Sequence, residues 1–513
     1  MYSRYAPEKD AKAFAAAFVQ SFGAQKDGSA AGYAVVLGLG SGLHIRALLS
    51  TGVQKIIVLE ENESAVAFLK ASFPLDDLFS DERVLVCTAA AFEQVITDTY
   101  IPALYGNAVC LPQRVWADHH RELASQALAV FKRAVLSVSA DFSTQAHFGK
   151  IWYRNIIQNL MLAGNLRTCT IPARTFDKRY TAKKAFVAGA GPSLTAHLPF
   201  LAAHRQDFCV IAADTAVPPL VRSGILPDIA VTLDGQQVSQ EHFYFLDACT
   251  EPPDMLIAAD LGANSTLTRR LARRGCPILF TFGGHPLAQA AALYMRHTAK
   301  EQLVHVNTDS GTVLMAALDI AVQLGFSAVL LAGADFGYTD GKPYACGTYL
   351  DSRYHAASYR LRSAEQAFVS LMYRGETIYT GKNFFSTPIL QQYCNSYLTY
   401  RQKHADVCIM RLGYEPSGIY KQTAQRRISC SIPQTVSYTA ALSFIGWFKH
   451  ELAGLIAAVK ETADISAMHC SPVFHALLPL IAYYRRNFPE MYTHDACFRF
   501  MELAYAQISR YSI

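Results

Sequence analysis

The stretch KKAFVAGAGPSLTAHLPFLAAHRQDFCVIAADTAVPPLVRSGILPDIAVTLDG, residues 183–235, constrains this chain more than any other. It holds three short apolar runs, each ending in residues with chemistry to offer. Residues 185–188 (AFVA) read as a buried strand, followed by Gly189-Ala190-Gly191-Pro192-Ser193-Leu194. The glycines permit a tight turn and close backbone approach, and Pro192 and Ser193 suit the first turn of a helix. Free N–H groups at Pro192–Leu194 would face an anion there. The second run, residues 208–212, leads to Asp214 and Thr215; the third, residues 228–232, leads to Asp234 and Gly235. Open α/β sheets bind ligands in the crevice at such strand ends. One turn of this kind would be only a shaped corner with a helix cap. Three in succession favour a nucleotide-type pocket, without identifying the nucleotide.

Composition bounds the alternatives. A chain of 513 residues is too long for one ordinary core, so roughly two or three domains are expected. Hydrophobic residues at 51% and charged ones at 17% exclude a disordered chain. A net charge of +5 is too small an excess to argue for nucleic acid. Twelve cysteines without a CxxC pair argue against a disulfide framework or a structural zinc site, and point to a reducing cytoplasm. The first 26 residues lack the apolar core of a secretion signal. No uninterrupted apolar segment is expected to reach membrane-spanning length, the run at 324–334 being too short. The expectation is a soluble, cytoplasmic protein with no membrane span.

Along the chain, residues 33–37 and 55–59 read as strands, the first followed by Gly38-Leu39-Gly40-Ser41-Gly42 and the second by Glu60-Glu61. This GxGxG falls short of the full GxGxxG fingerprint, and Leu37 stands where a methyltransferase carries an acid. The pattern predicts a degenerate, non-catalytic Rossmann-like domain over residues 1–140. Helical periodicity at 116–136 and again at 148–162 predicts two connecting helices. Asn155 and Asn159, one turn apart, could share a face, and helix-surface or interdomain hydrogen bonds are expected of them. A central domain over 141–430 continues the strand–helix alternation of a mainly parallel sheet. Within it, Gly311 and Thr312, with Ser310 or Thr308 as cap, open an apolar helix at 313–324 and form a second anion-receptive site. Residues 328–332 end at Gly333-Ala334-Asp335, and a long polar loop follows to Arg353. Residues 376–379 and 406–409 read as a strand pair. Residues 431–513 read as a separate helical domain.

With these motifs in place, the chain resembles the motility accessory factor family of flagellin glycosyltransferases. Its central domain is similar to the MptE-like hydroxymethylpterin pyrophosphokinase domain and, more distantly, to bacterial sialyltransferases. The resemblance rests on Gly38 to His44, Trp152-Tyr153-Arg154-Asn155 with Asn159, Gly189 to Leu194, Ala213-Asp214-Thr215, Leu226-Pro227-Asp228, Ser310 to Val313, Gly333-Ala334-Asp335 and Gly375 to Thr380. These follow the family's order over residues 33–420. The implied fold is α/β: a Rossmann-like N-terminal domain, a larger Rossmann-like, sialyltransferase-like central domain and an α-helical C-terminal region.

The resemblance also implies transfer of a nonulosonic acid, of pseudaminic or legionaminic type, from its CMP donor to Ser or Thr of flagellin. No cofactor is required, and a homo-oligomer is compatible with it. Donor binding falls to Gly189, Gly191, Pro192, Ser193, Leu194, Asp214, Thr215, Asp234, Ser310, Gly311 and Thr312. The family places a His-Ala pair after Asp335-Phe336, where this chain has Tyr344-Ala345. Tyrosine is a poor base at neutral pH, so the catalytic candidates are Asp335 as base, Tyr344 as donor to the leaving phosphate and His355 as second base, with His285 another substitute. Two other readings stay open. A pterin-type pyrophosphokinase would use Mg-ATP, with Asp228 and Asp234 at the metal end. A catalytically inactive flagellin-binding scaffold would keep only the fold.

Overall fold

Strands that are apolar at every position belong in a sheet covered on both faces. β1 (Tyr33–Leu37), β2 (Lys55–Glu60), β3 (Val84–Thr88) and β4 (Ala108–Pro112) form such a sheet, all parallel, in the order β3-β2-β1-β4. Every residue of β1 is buried. The computed structural model describes residues 6–22, 31–172, 184–308, 311–381, 384–413, 429–462, 471–488 and 494–512. Its contacts divide the chain into two units: Met1–Lys150 with Leu455–Ala506, and Ile151–Gly454 with Gln507–Ile513.

This division differs from boundaries at 140 and 430. Residues 455–506 belong with the N-terminal sheet instead of forming a helical unit of their own. The buried Arg485 shows the reason, donating to the carbonyls of Pro102 and Leu104 while the neighbouring Tyr484 ring stacks on Phe500. The two expected connecting helices are likewise one helix, Arg121–Leu166, 46 residues long. No proline or glycine interrupts residues 137–147, so nothing stops it there.

In the second unit, β5 (Thr168–Thr170) is a short edge piece. β6 (Lys184–Ala188), β7 (Phe208–Ala213), β8 (Ile229–Thr232), β9 (Leu256–Asp260), β10 (Ile278–Phe282), β11 (Val304–His305) and β12 (Ala328–Ala332) build the main sheet. β13 (Tyr338–Thr339), β14 (Ile378–Gly381) and β15 (Phe384–Ser386) make a small antiparallel sheet ordered β13-β15-β14. β16 (Cys408–Arg411) completes the main sheet, and β17 (Thr435–Ser437) pairs antiparallel with β5. The main sheet runs β11-β10-β9-β8-β7-β6-β12-β16, parallel throughout. The expected strand pair of 376–379 with 406–409 does not form, because β14 and β16 join different sheets. The helix Pro388–Lys403 between them is a crossover that carries the chain back parallel to β12.

Among the described residues one helix, Ala441–Thr462, is long and apolar enough to span a bilayer by length and composition, with mean hydropathy 1.2 over Ala441–Glu461. Lys449, His450 and Glu451 interrupt it, so it is not the uninterrupted apolar segment whose absence the sequence predicts. Its buried side chains, Ala441, Phe444, Ile445, Phe448, Leu452 and Val459, fall at helical spacing on one stripe, the pattern of a helix packed on a protein core.

Candidate functional site

The main sheet reverses its winding beside β6: β7 to β11 lie on one side of it, β12 and β16 on the other. The turns leaving β6 and β12 meet at this switch point, where doubly wound sheets place ligands. Gly191 donates its N–H to the Gly333 carbonyl at 2.9 Å, and Gly189 donates to Ala332 at 2.8 Å. A Cβ at Gly191 would collide with Asp335 Oδ2 and lie 2.6 Å from the Gly333 carbonyl oxygen. Gly333 has φ 65°, a left-handed conformation that favours glycine. Asp335, buried at the end of β12, accepts at Oδ2 from Ser193 N (3.2 Å) and Ser193 Oγ (2.9 Å).

That geometry corrects the anion-site expectation. Pro192 has no N–H, the Ser193 N–H goes to Asp335, and the Leu194 N–H goes to the Gly191 carbonyl. Asp335 therefore fills the place at the start of helix Leu194–Ala203 where a phosphate was expected. The helix Val313–Gln323 starts against the same turn, since a Cβ on Gly189 would lie 3.0 Å from Leu314 Cδ1. There the Gly311 N–H is taken by the Thr308 carbonyl, and Thr312 Oγ1 accepts from Met315 N. Ser310 lies outside the described residues.

The long loop after β12 folds onto the Gly189–Thr195 turn. Ala345 N donates to the Ala190 carbonyl at 2.9 Å and Cys346 N to Thr195 Oγ1 at 3.0 Å. The backbone beside Tyr344 is thereby fixed at the switch point. Burial pushes the Tyr344 phenol above its usual pKa of 10, with Tyr338 adding to the effect, so it stays protonated at neutral pH. His355 sits on Tyr349–Ala356, exposed, with Nε2 3.5 Å from Asp351 Oδ1 and its ring edge on Phe368. Both of these neighbours lie outside the Gly189 turn. His197, which the sequence reading passed over, lies one helical turn beyond Ser193. Burial lowers its pKa while Asp335 pulls it upward, so imidazole and carboxylate feel each other. Its Nε2 would lie 3.6 Å from a Cβ at Gly413, just past β16.

Farther along the same edge, Asp214 accepts from Thr215 N (2.7 Å), Thr215 Oγ1 (3.1 Å) and Thr232 Oγ1 (2.8 Å). Asp234 accepts from Gln236 N at 2.9 Å. Burial raises the Asp234 pKa, the Gln236 N–H lowers it and the Asp214 carboxylate raises it further, so the two acids are close. His242, also missed, places Nε2 3.5 Å from Thr215 Oγ1 and its ring edge-on to Tyr349. Asp228 behaves otherwise. It precedes β8 while Asp234 follows it, and its Oδ2 accepts from Val210 N (2.7 Å) and Arg205 (2.8 Å). Opposite ends of one strand cannot share a metal, so Asp228 is not a partner for Asp234.

β9 ends at Asp260, which makes it another strand-end acid. Its Oδ1 accepts from Gly262 N at 2.6 Å, and burial pushes its pKa up to about 6. The raised folded pKa means that stability is full below the unfolded pKa, near 4, and falls as pH rises through about 6. Asp260→Asn is expected to leave Tm unchanged near pH 4 and raise it by several degrees at pH 7.5; a scan of Tm against pH checks this. His285, the cap of helix Pro286–Ala299, cannot be the substitute base. Its Nδ1 accepts from Leu287 N at 3.2 Å, and burial pushes its pKa down to about 3.

Asn155 and Asn159 hold these loops in place from within the second unit, not from a helix surface or between domains. Asn155 Nδ2 donates to the carbonyls of Gly235 and Gly262, and Asn159 Nδ2 to those of Leu261 and Ala263. Both side chains are fully buried. Asn159→Ala strands two buried carbonyls and leaves the Thr268 hydroxyl only its longer bond to the Ser265 carbonyl, so a loss of about 2–4 kcal/mol in urea unfolding is expected.

A parallel, doubly wound sheet with facing glycine turns at its switch point defines a Rossmann-like α/β protein. Residues 159–341 match the family described as 6-hydroxymethylpterin diphosphokinase MptE-like. An uncharacterised Treponema pallidum (strain Nichols) protein is 31% identical over 160 residues, which are 31% of this chain and 73% of the relative. A second from that organism is 35% identical over 148 residues, 28% of this chain and 51% of the relative. The chain belongs to the MptE-like family. It spans only about half the length of the second relative. A MAf glycosyltransferase from Magnetospirillum magneticum AMB-1 has a similar structure over 98% of this chain and 84% of its own, with TM-score 0.58 and 12% identity; the two share a fold.

Proposed function

We propose that this chain is a glycosyltransferase that moves a nonulosonic acid from a CMP-linked donor to Ser or Thr hydroxyls of flagellin. The observation that carries the reading is the switch point itself, where Ser193 and His197, following β6, meet Asp335, following β12. The likeness in fold to a MAf glycosyltransferase along nearly the whole chain supports it. In the reaction the acceptor oxygen bonds to the anomeric carbon while the bond from that carbon to the phosphate oxygen breaks. CMP leaves with the electron pair, and the hydroxyl proton passes to a base. His197, kept neutral at pH 7 by burial, takes that proton, and Asp335 steadies the imidazolium. Tyr344, protonated, donates to the departing phosphate.

The description of the matching family favours a second reading, a pterin diphosphokinase using Mg-ATP. Calorimetric titration with CMP, a CMP-nonulosonate, ATP and hydroxymethylpterin, each with and without Mg²⁺, separates the two. CMP is expected to bind without Mg²⁺. Binding of ATP only with Mg²⁺, together with the pterin, would overturn the transferase in favour of the kinase. No nucleotide binding at all would favour the scaffold.

A further inference from the structure

Behind β9, the helix Ser265–Arg273 lines an open cleft of about 570 Å³ with Thr266, Arg269, Arg270, Arg273 and Arg274. We propose that this cleft binds a soluble ligand carrying two or more phosphate groups. The proposal stands independently of the strand-end crevice.

A row of cations near a helix C-terminus has an ordinary explanation, favourable interaction with the helix dipole. Here that explanation falls short. Arg269 with Arg273, and Arg270 with Arg274, are like charges one turn apart, a destabilising arrangement. The helix sequence STLTRRLAR contains no acid to offset them. The side chains are nevertheless held in place. Arg270 pairs with Asp247 at 2.6 Å and lies over the Tyr244 ring at 5.2 Å. Arg274 donates to the Cys249 carbonyl at 3.2 Å and reaches Asp247 at 3.5 Å. Arg269 Nε donates to the Ser265 carbonyl at 3.1 Å, which leaves the outer nitrogens of its guanidinium for other partners. Arg273 meets no acid among the described residues. Four guanidinium groups thus face one paired carboxylate, in a cleft of the size that small ligands occupy.

The choice of arginine at all four positions identifies the ligand chemistry. A guanidinium presents a planar fork that bonds two oxygens of one phosphate at once, whereas a lysine offers a point charge. Arg269 and Arg273 are separated by about 6 Å along the axis, a span suited to neighbouring phosphates of one di- or triphosphate.

The test uses the full chain and inorganic tripolyphosphate, titrated by calorimetry at low ionic strength. Arg269 and Arg273 are exposed, so the double variant Arg269→Gln/Arg273→Gln is expected to fold normally, with unchanged circular dichroism and Tm. Its affinity for tripolyphosphate is expected to fall at least about tenfold. Arg269→Lys/Arg273→Lys should lose a measurable part of that affinity while keeping the charge. No binding by the wild type, or equal binding by the glutamine variant, would overturn the site. Equal affinity for a poly-glutamate peptide, or a lysine variant as tight as wild type, would overturn the phosphate class. Binding confined to phosphatidylglycerol vesicles would overturn a soluble ligand.

Discussion

Gly191→Val is expected to abolish CMP binding, with affinity falling more than about 100-fold. The side chain would enter space already held by Asp335 Oδ2 and by the Gly333 carbonyl, so the β6 and β12 turns can no longer meet. Gly40→Ala in the first unit is the control. Its Cβ meets nothing within 4 Å, although φ 49° makes alanine somewhat strained there. It should cost about 1–2 kcal/mol of stability and leave CMP affinity unaltered. Ser193→Ala guards against simple misfolding of the valine variant, since it removes only the hydroxyl donor to Asp335. A drop of about tenfold in CMP affinity is expected for it. Lost binding in Gly40→Ala with intact binding in Gly191→Val would move the nucleotide to the first unit.

The glycine turn of the first unit is filled by the protein's own side chains. Glu60, at the end of β2 where a ribose-binding acid would stand, accepts from Leu39 N at 2.9 Å, Trp116 Nε1 at 2.7 Å and Glu61 N at 3.0 Å. Trp116 lies against Gly38, and Leu75 and Leu78 against Gly42, so the glycine turn is packed by side chains. The missing third spacing in GxGxG hinted at this, but the occupant, Trp116, comes from 56 residues beyond Glu60 and no local pattern reveals it.

Strand existence was legible wherever a short run was apolar at every position, as at Ala328–Ala332, because burial on both faces leaves no other use for such a run. Pairing was not legible. The partner of β16 is β12, and only the length of the intervening helix hints at a parallel return. The glycine turns and Asp335 were visible as residue types at strand ends. That Asp335 would satisfy the N–H group meant for a phosphate was not, since Ser193 lies 142 residues away. His197 escaped notice for a similar reason. In the helical sequence TAHLPF it looks like any partly covered residue, and its meaning comes from Asp335 across the switch point.

The second large effect concerns the proton. In a transfer assay with a CMP-nonulosonate and flagellin, His197→Gln is expected to lower kcat by about 10²–10⁴-fold, with donor affinity little changed. Asp335→Asn keeps the shape but removes the charge that steadies the imidazolium, so a similar loss in kcat is expected. Tyr344→Phe removes a donor and not a base, and should cost about tenfold. The pH profile distinguishes a base from a structural residue. Burial sets the His197 pKa below its ordinary 6.5, so wild-type kcat should rise with pH along a limb below that value. It should then stay flat through neutrality, because the Tyr344 phenol, raised above 10, does not ionise there. His197→Gln should lose the acid limb along with the rate. In Asp335→Asn the limb should shift to lower pH, since the carboxylate no longer holds the imidazole pKa up. A His197→Gln variant that keeps the wild-type limb would remove His197 from proton transfer, whatever its rate.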